Sequence, residues 1–326
     1  VMYVIANIRP FGTNVGNEAI NFALRQKLFD VFGRLVSVVE FPADRKLGNG
    51  ATGGITPKTV HEINRYADGV IIGGGNLFEN NQLEIEIEAL NALKPPLMLF
   101  SNSRGRIYGR FGQLEDRSDV MPDSLLMKLL SRADVSASRD TSTRDYLSKL
   151  DDRERLGFCP TINMGEYQSR LPKVPEAERI GALISIRSPH LMNIPISKQN
   201  TIREQVELLI SEIRRVGYPR VRLLCNDSRD LDFAHSFRFT HEVDTVFTRD
   251  VQLYLAILSQ ASFLASFRLH ASLPAIAMNV PTVNFVYDER GQSLSDDLQL
   301  QDTTVNLISA EDVEEEDTHV FDWKSI

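Results

Sequence analysis

The sequence predicts an α/β protein with two Rossmann-like domains facing each other across a cleft. Three observations carry this expectation. Short apolar runs alternate with helix-length amphipathic segments, the pattern of βαβ units built on a parallel sheet. The alternation breaks near residues 160–178 and then restarts. The length of 326 residues suits about two domains of ~150 residues each.

Taken in order, "MYVIANI" (2–8) reads as a buried first strand. "NEAINFALRQKLFDVF" (17–32) reads as a helix, because Ile20, Ala23, Leu24, Leu28 and Val31 recur at helical spacing. "RLVSVVEF" (34–41) is the second strand. Residues 42–57 are rich in Gly and Pro and read as a loop. Strands follow at 68–76, 95–103 and 132–140, with helices near 82–93, 122–131 and 141–150. The stretch "PTINMGEYQSRLPKVPEAE" has three prolines and little periodicity, the composition of a linker. Beyond it, strands are expected at 179–187, 221–227, 262–267 and 281–288, and helices at 201–216 and 249–260. The domains are therefore 1–165 and 179–310, followed by a solvated acidic tail, 311–326.

Composition narrows the class. Hydrophobic content is 42% and charged content 25%, ordinary for a soluble globular chain. The net charge of −8 argues against a nucleic-acid polymer as partner, since that needs a basic face. An anionic ligand would need a local cluster of Arg and His. Cys159 and Cys225 lie far apart, which is no disulfide framework or metal motif and suits a reducing cytoplasm. No His, Cys and carboxylate set has metal-ligand spacing, so no metal or other cofactor is expected. The start "VMYVIANIRP" has no basic segment or cleavage site and reads as a strand rather than a signal peptide. No apolar run approaches the ~18 residues of a membrane-spanning helix.

Ligands of doubly wound folds bind at the carboxyl ends of strands, and several of these ends carry unusual residues. "FGTNVGNEAI" (11–20) is a small-residue loop leading into a helix. Its free N–H groups suit an anion or polar ligand, or else it is an ordinary turn capped by Asn17. "IIGGGNLFEN" (71–80) has glycines that allow close approach of a ligand, or simply a tight turn. It is neither a dinucleotide fingerprint nor a P-loop, because Phe78 stands at the last glycine position and no Gly-Lys-Ser/Thr follows. Arg139 falls at a strand end before a helix that Asp140 or Thr141 caps, and Arg187 ends the first strand of the second half. Either arginine is a ligand group or a solvated side chain.

The most informative stretch is "SFRLHASLPAIAMNVPTVNFVYDER", residues 266–290. Arg268 and His270 stand in a core-like run, flanking Leu269. If the strand stops at Phe267, they sit at the mouth of the cleft beside a helix start, an arrangement that suits phosphate or carboxylate, or else they snorkel out of the core or pair with nearby acids. Pro274 either begins that helix, with Ser272 as cap, or kinks one that began earlier.

In this order, the "NVGNEAI" loop, "IIGGGNLFEN", "ASRDTSTRDYL", "ISIR" and the Ser-x-Arg-x-His block with Val-Pro and Tyr-Asp resemble the polysaccharide pyruvyl transferases. The resemblance implies a GT-B-type architecture. It also implies transfer of pyruvyl from phosphoenolpyruvate to two hydroxyls of a sugar, as a cyclic ketal with loss of phosphate. On the donor side it implies Arg268 with Arg139 and Arg187 on the anion, and His270 as proton donor or phosphate partner. Leu269, Tyr287 and Arg290 accompany them. On the acceptor side it implies Asn14, Gly16, Asn17, Gly74, Gly75 and Asn76, with Glu79 as base for an attacking hydroxyl. The chain departs from the family pattern at Asn17, where many members have Asp, at Pro274, and at Arg290, where Lys is common. The acceptor is a glycan or sugar, lipid- or nucleotide-linked, which allows peripheral association at the inner face of a membrane. Two other readings share the architecture: a nucleotide-sugar glycosyltransferase, and a non-catalytic glycan- or partner-binding protein.

Overall fold

Both sheets are parallel and covered on both faces, so their strands are almost continuously apolar rather than alternating. Every residue of Ala182–Ile186 and Val221–Cys225 is buried. In a computed structural model of the chain, the described residues are 2–48, 52–109, 112–175 and 181–308. The acidic tail expected at 311–326 and the end of the expected linker lie outside them.

The described residues divide into two units. The first runs up to Gly12 and includes Asn17–Arg106 and Asp116–Thr161. It contains β1 (Tyr3–Arg9), α1 (Val15–Val31), β2 (Val36–Pro42), α2 (Pro57–Tyr66), β3 (Gly69–Gly75), α3 (Ile87–Ala92) and β4 (Leu97–Asn102). An antiparallel hairpin follows, β5 (Ile107–Tyr108) and β6 (Leu114–Glu115), which groups with the second unit. The first unit resumes with α4 (Asp123–Arg132), β7 (Val135–Ser138), α5 (Thr141–Leu147) and β8 (Arg155–Leu156). Its sheet has the order β2-β1-β3-β4-β7-β8. The order reverses between β1 and β3, and the core packs Ile8, Ile55, Ile63, Ile72, Phe78 and Leu126.

The second unit contains α6 (Met164–Tyr167), β9 (Ala182–Ile186), α7 (Ile196–Arg215), β10 (Val221–Cys225), α8 (Leu231–His235), α9 (Arg238–His241) and β11 (Asp244–Phe247). It continues with α10 (Val251–Ser259), β12 (Phe263–Ser266), α11 (Leu269–Ala277), β13 (Thr282–Val286), α12 (Glu289–Asp297) and β14 (Thr304–Asn306). The strand order is β11-β10-β9-β12-β13-β14, which is the 3-2-1-4-5-6 order of a dinucleotide-type sheet. The reversal lies between β9 and β12. Chains leaving those two strands turn to opposite sides and open a crevice at their carboxyl ends.

Several local expectations are corrected. The stretch from Pro160 is not an irregular linker. It forms short helical turns and α6, whose Met164 and Tyr167, three residues apart, are both buried. Pro57 does not close a loop but opens α2, where its missing N–H is no loss. Helix α7 begins at Ile196, before the expected 201, and α3 covers only 87–92 of the expected 82–93. The chain is not simply halved either. Thr13–Gly16 and Ile107–Glu115 pack with the second unit although they lie in the first half of the sequence, and the units divide after Thr161.

One glycine at the end of β3 is obligatory. Gly74 has φ +79°, and a Cβ there would meet Ile20 Cγ2 of α1 at 2.5 Å. Gly74→Ala is expected to lower unfolding free energy by about 1–3 kcal/mol in a urea titration, through combined backbone strain and overpacking.

Candidate active site

The crevice of the second sheet is where two arginines emerge. Arg187 is the first residue after β9, and Arg268 follows β12 by two residues. Their side chains are only 14% and 10% exposed. Between them lies the fully buried carboxylate of Asp230. Its Oδ1 is 3.4 Å from Arg187 Nη1, and its Oδ2 is 3.5 Å from Arg268 Nη1. The backbone N–H of Ser188 also donates to Asp230 Oδ1, at 3.0 Å. Burial first, and then the adjacent Arg268 charge, holds the Arg187 guanidinium below its ordinary value. It stays cationic, and two neighbouring guanidinium forks have the chemistry that suits an anion with several oxygens.

The Ser-x-Arg-x-His block has a local explanation. Ser266 Oγ accepts from the Arg268 N–H at 3.1 Å and donates to the Arg268 carbonyl at 2.9 Å. That clamp fixes Arg268 in an extended conformation as the residue capping α11. Helix α11 therefore starts at Leu269, with His270 in its first turn and half-buried. Of the two placements considered for Pro274, the helix began earlier. Pro274 lies inside it, and Ser272 is no cap but donates to Asn284 Oδ1 at 2.8 Å.

The loop at 13–16 belongs to this same constellation. The N–H of Val15 donates to the Asn226 carbonyl at 2.8 Å, and Thr13 Oγ1 donates to Asp227 Oδ1 at 3.0 Å. Asn14, not Asn17, is the residue that caps α1, because its Oδ1 accepts from the Gly16 N–H at 2.9 Å. Helix α1 accordingly begins two residues before the expected start. Glycine is needed at 16 because a Cβ there would stand 2.9 Å from His270 Cβ and 3.0 Å from Asn14 Oδ1. The loop thus lies against the Cβ of His270.

Tyr287 borders both arginines. Burial raises its ionisation, and the Arg268 charge opposes that rise. Arg290 Nη2 is bound to Asp288 Oδ2 at 2.7 Å, while Asp288 Oδ1 caps α12 through the Gly291 N–H. Leu269, the first residue of α11, is half-buried.

The remaining expected residues fall in the first unit, at the carboxyl ends of its own strands. Gly74 and Gly75 end β3, followed by the half-buried Asn76. Asn17 Oδ1 lies 3.9 Å from where a Gly75 Cβ would be. Arg139, offered as either ligand group or solvated side chain, is 1% exposed, and its Nη2 donates to Ser103 Oγ at 2.6 Å. Glu79 is likewise buried, and its Oε2 accepts from Ser103 Oγ at 3.3 Å and the Gly105 N–H at 2.9 Å. Asp140, rather than Thr141, caps α5. Burial raises the Asp140 ionisation, and Arg139 and Thr143 oppose this.

The structure brings together Asn14, Gly16, Arg187, Arg268, Leu269, His270 and Tyr287 in the second unit. Asn17, Gly74, Gly75, Asn76, Glu79 and Arg139 form a separate group in the first. Sequence reading missed Asn226, Asp227 and Asp230. Their signal was "LLCNDSRD", where a buried strand runs straight into a polar string. The strand ends at Cys225, so the polar residues crown it. Among the described residues, no group of three or more His, Cys, Asp or Glu side chains is arranged to hold a metal ion.

The fold and site define an α/β protein of GT-B type. UDP-N-acetylglucosamine 2-epimerase from Rickettsia bellii resembles it at TM-score 0.54 and 10% identity, over 96% of this chain and 86% of that one. A UDP co-structure of MnaA from S. aureus resembles it at TM-score 0.53 and 14% identity, over 87% and 79%. At these identities the likeness is one of fold. No curated protein matches the sequence. The polysaccharide pyruvyl transferase family model matches residues 14–289, and the chain belongs to that family.

Removing one charge from the centre of the site has a predictable result. Asp230→Asn removes the carboxylate that the two buried guanidinium groups share, leaving Arg187 only Asp227 Oδ2 at 3.8 Å, and is expected to cost roughly 3 kcal/mol in chemical unfolding. Asp227 answers to pH. Burial works to raise its ionisation, but hydrogen bonds from Arg229 and Thr13 outweigh burial and hold the carboxyl far below the ordinary range. A carboxyl with a lowered folded value stabilises fully above the unfolded value of about 3.9, and that stability is lost as pH falls below it. Melting temperatures followed down to about pH 2 should therefore fall less steeply in Asp227→Asn than in the unaltered protein.

Proposed function

We propose that the chain transfers the pyruvyl group of phosphoenolpyruvate to two hydroxyls of a sugar, forming a cyclic ketal and releasing phosphate, in exopolysaccharide or cell-surface glycan synthesis. The observation that carries this reading is the Arg187–Asp230–Arg268 cluster beside His270. Phosphoenolpyruvate presents a phosphate and a carboxylate, and paired guanidinium forks suit both. In this reading His270 delivers a proton to the methylene carbon, which becomes a methyl group. A sugar hydroxyl oxygen bonds to the adjacent carbon. The C–O bond to phosphate then breaks, and a second hydroxyl closes the ring. Of the two hydroxyl protons, one replaces the proton given to the methyl group and the other leaves with phosphate.

Arg268 and Arg187 bind the donor, with Tyr287, Leu269 and Arg290 along its border. Asn14, Gly16, Asn17, Gly74, Gly75 and Asn76 face the acceptor. Glu79, which accepts from Ser103 Oγ and the Gly105 N–H, is the base for an attacking hydroxyl in this reading, with Arg139 beside it at Ser103 as a further donor to the anion. No helix of the described residues is long and apolar enough to cross a membrane. A lipid- or nucleotide-linked acceptor met at the inner face of a membrane fits the reading.

The test is phosphate release from phosphoenolpyruvate against a panel of sugar acceptors, with the product weighed by mass spectrometry. The expected product gains a pyruvyl group less water. His270→Ala and Arg268→Ala are each expected to lower the rate by about 100-fold or more with the fold intact by circular dichroism. Full activity in both variants overturns the reading. So does a product that gains the mass of a hexose from a nucleotide sugar.

A further inference from the structure

The helix that carries His270 has a proline inside it. Pro274 has no N–H, so the carbonyl four residues earlier loses its helical donor. That carbonyl belongs to His270. It is not left orphaned. The hydroxyl of Tyr254, on α10, donates to His270 O at 3.2 Å. Tyr254 is fully buried, and burial pushes its ionisation up, so it remains a donor at every ordinary pH. The Asn226 side chain faces the same phenol oxygen, while the Asn226 carbonyl holds the Val15 N–H of the loop that abuts His270. A helix with an ordinary residue at 274 would bond this carbonyl along its own axis. Here the bond runs sideways into a neighbouring helix.

We infer that Tyr254 is a positioning residue for His270. Pro274 frees the His270 carbonyl, and the Tyr254 hydroxyl takes it up and anchors the first turn of α11 to α10. His270 is thereby held on two sides, at its Cβ and at its carbonyl. Gly16 closes in on its Cβ, and Tyr254 holds its carbonyl. The inference rests on the proposed role of His270 for its kinetic consequence, though not for its geometry.

The geometry supplies its own rescue. Tyr254→Phe removes only the hydroxyl and keeps the ring in the core. Adding Pro274→Ala restores a backbone N–H four residues after His270, so the double variant regains a donor for that carbonyl. The experiment measures the His270 imidazole chemical shifts in the full chain, assigned with a His270→Gln sample, together with phosphoenolpyruvate-dependent phosphate release. Tyr254→Phe is expected to shift the His270 signals and to lower kcat about tenfold, leaving KM for phosphoenolpyruvate within about twofold. The double variant should recover most of both. A merely structural tyrosine would lower the melting temperature without moving that signal or splitting kcat from KM. Unchanged His270 signals in Tyr254→Phe overturn the inference, and so does a double variant with no recovery. If the signals shift and recover as expected but the unaltered protein releases no phosphate, the positioning stands and the pyruvyl-transfer reading falls.

Discussion

One buried carboxylate organises the second unit. Two guanidinium groups leave adjacent strands at the reversal point of the sheet, and neither could stay largely out of water without a counter-charge. Asp230 supplies it to both, with Oδ1 toward Arg187 and the Ser188 N–H and Oδ2 toward Arg268, and Arg187 also lies 3.8 Å from Asp227 Oδ2. Nearby, Asp227 is taken by Arg229 and Thr13. Three guanidinium groups face two carboxylates, so the cluster keeps an excess of positive charge in a place where water is scarce. That excess is the charge balance on which the proposed binding of an anionic donor rests.

The rest of the constellation is held by backbone rather than by side-chain packing. Ser266 clamps the N–H and carbonyl of Arg268, Asn226 takes the Val15 N–H, and Asn14 caps α1 through Gly16. Hydrogen bonds to main-chain groups leave side-chain ends available for ligand. They also explain why small and amide residues cluster in this region. A larger side chain at 16 would press on His270, and an apolar one at 226 would take away the amide oxygen to which the buried Ser185 hydroxyl donates.

The two units use the same sheet logic to different ends. In the first, the polar residues at the strand ends are bonded among themselves. Arg9 is paired with Glu18 and Glu40, and Arg139 and Glu79 meet at Ser103. These bonds stiffen the turns after β1, β3 and β7. In the second, the strand-end arginines share the Asp230 carboxylate, and Arg187 also lies 3.8 Å from Asp227 Oδ2. The α/β sheet permits both outcomes because the strand ends, not the core, carry the differences.

The parallel α/β class, the doubled pattern and the block that carries Arg268 and His270 are legible in the amino-acid order alone. Those signals are local: apolar strands, helical periodicity, and polar residues where a strand must stop. The same locality explains the misreadings. The stretch after Pro160 looked like a linker because three prolines mask the burial of Met164 and Tyr167, which depends on a partner helix distant in sequence. Only the tertiary structure decided that the 13–16 loop belongs with a histidine some 250 residues away, that Asp230 bridges two arginines, and that Tyr254 answers the carbonyl freed by Pro274. Each of these joins strand ends or helices far apart in the chain. A short-range pattern marks where a polar residue emerges, but which groups meet there is set by strand order and by the demand that buried polar atoms be paired.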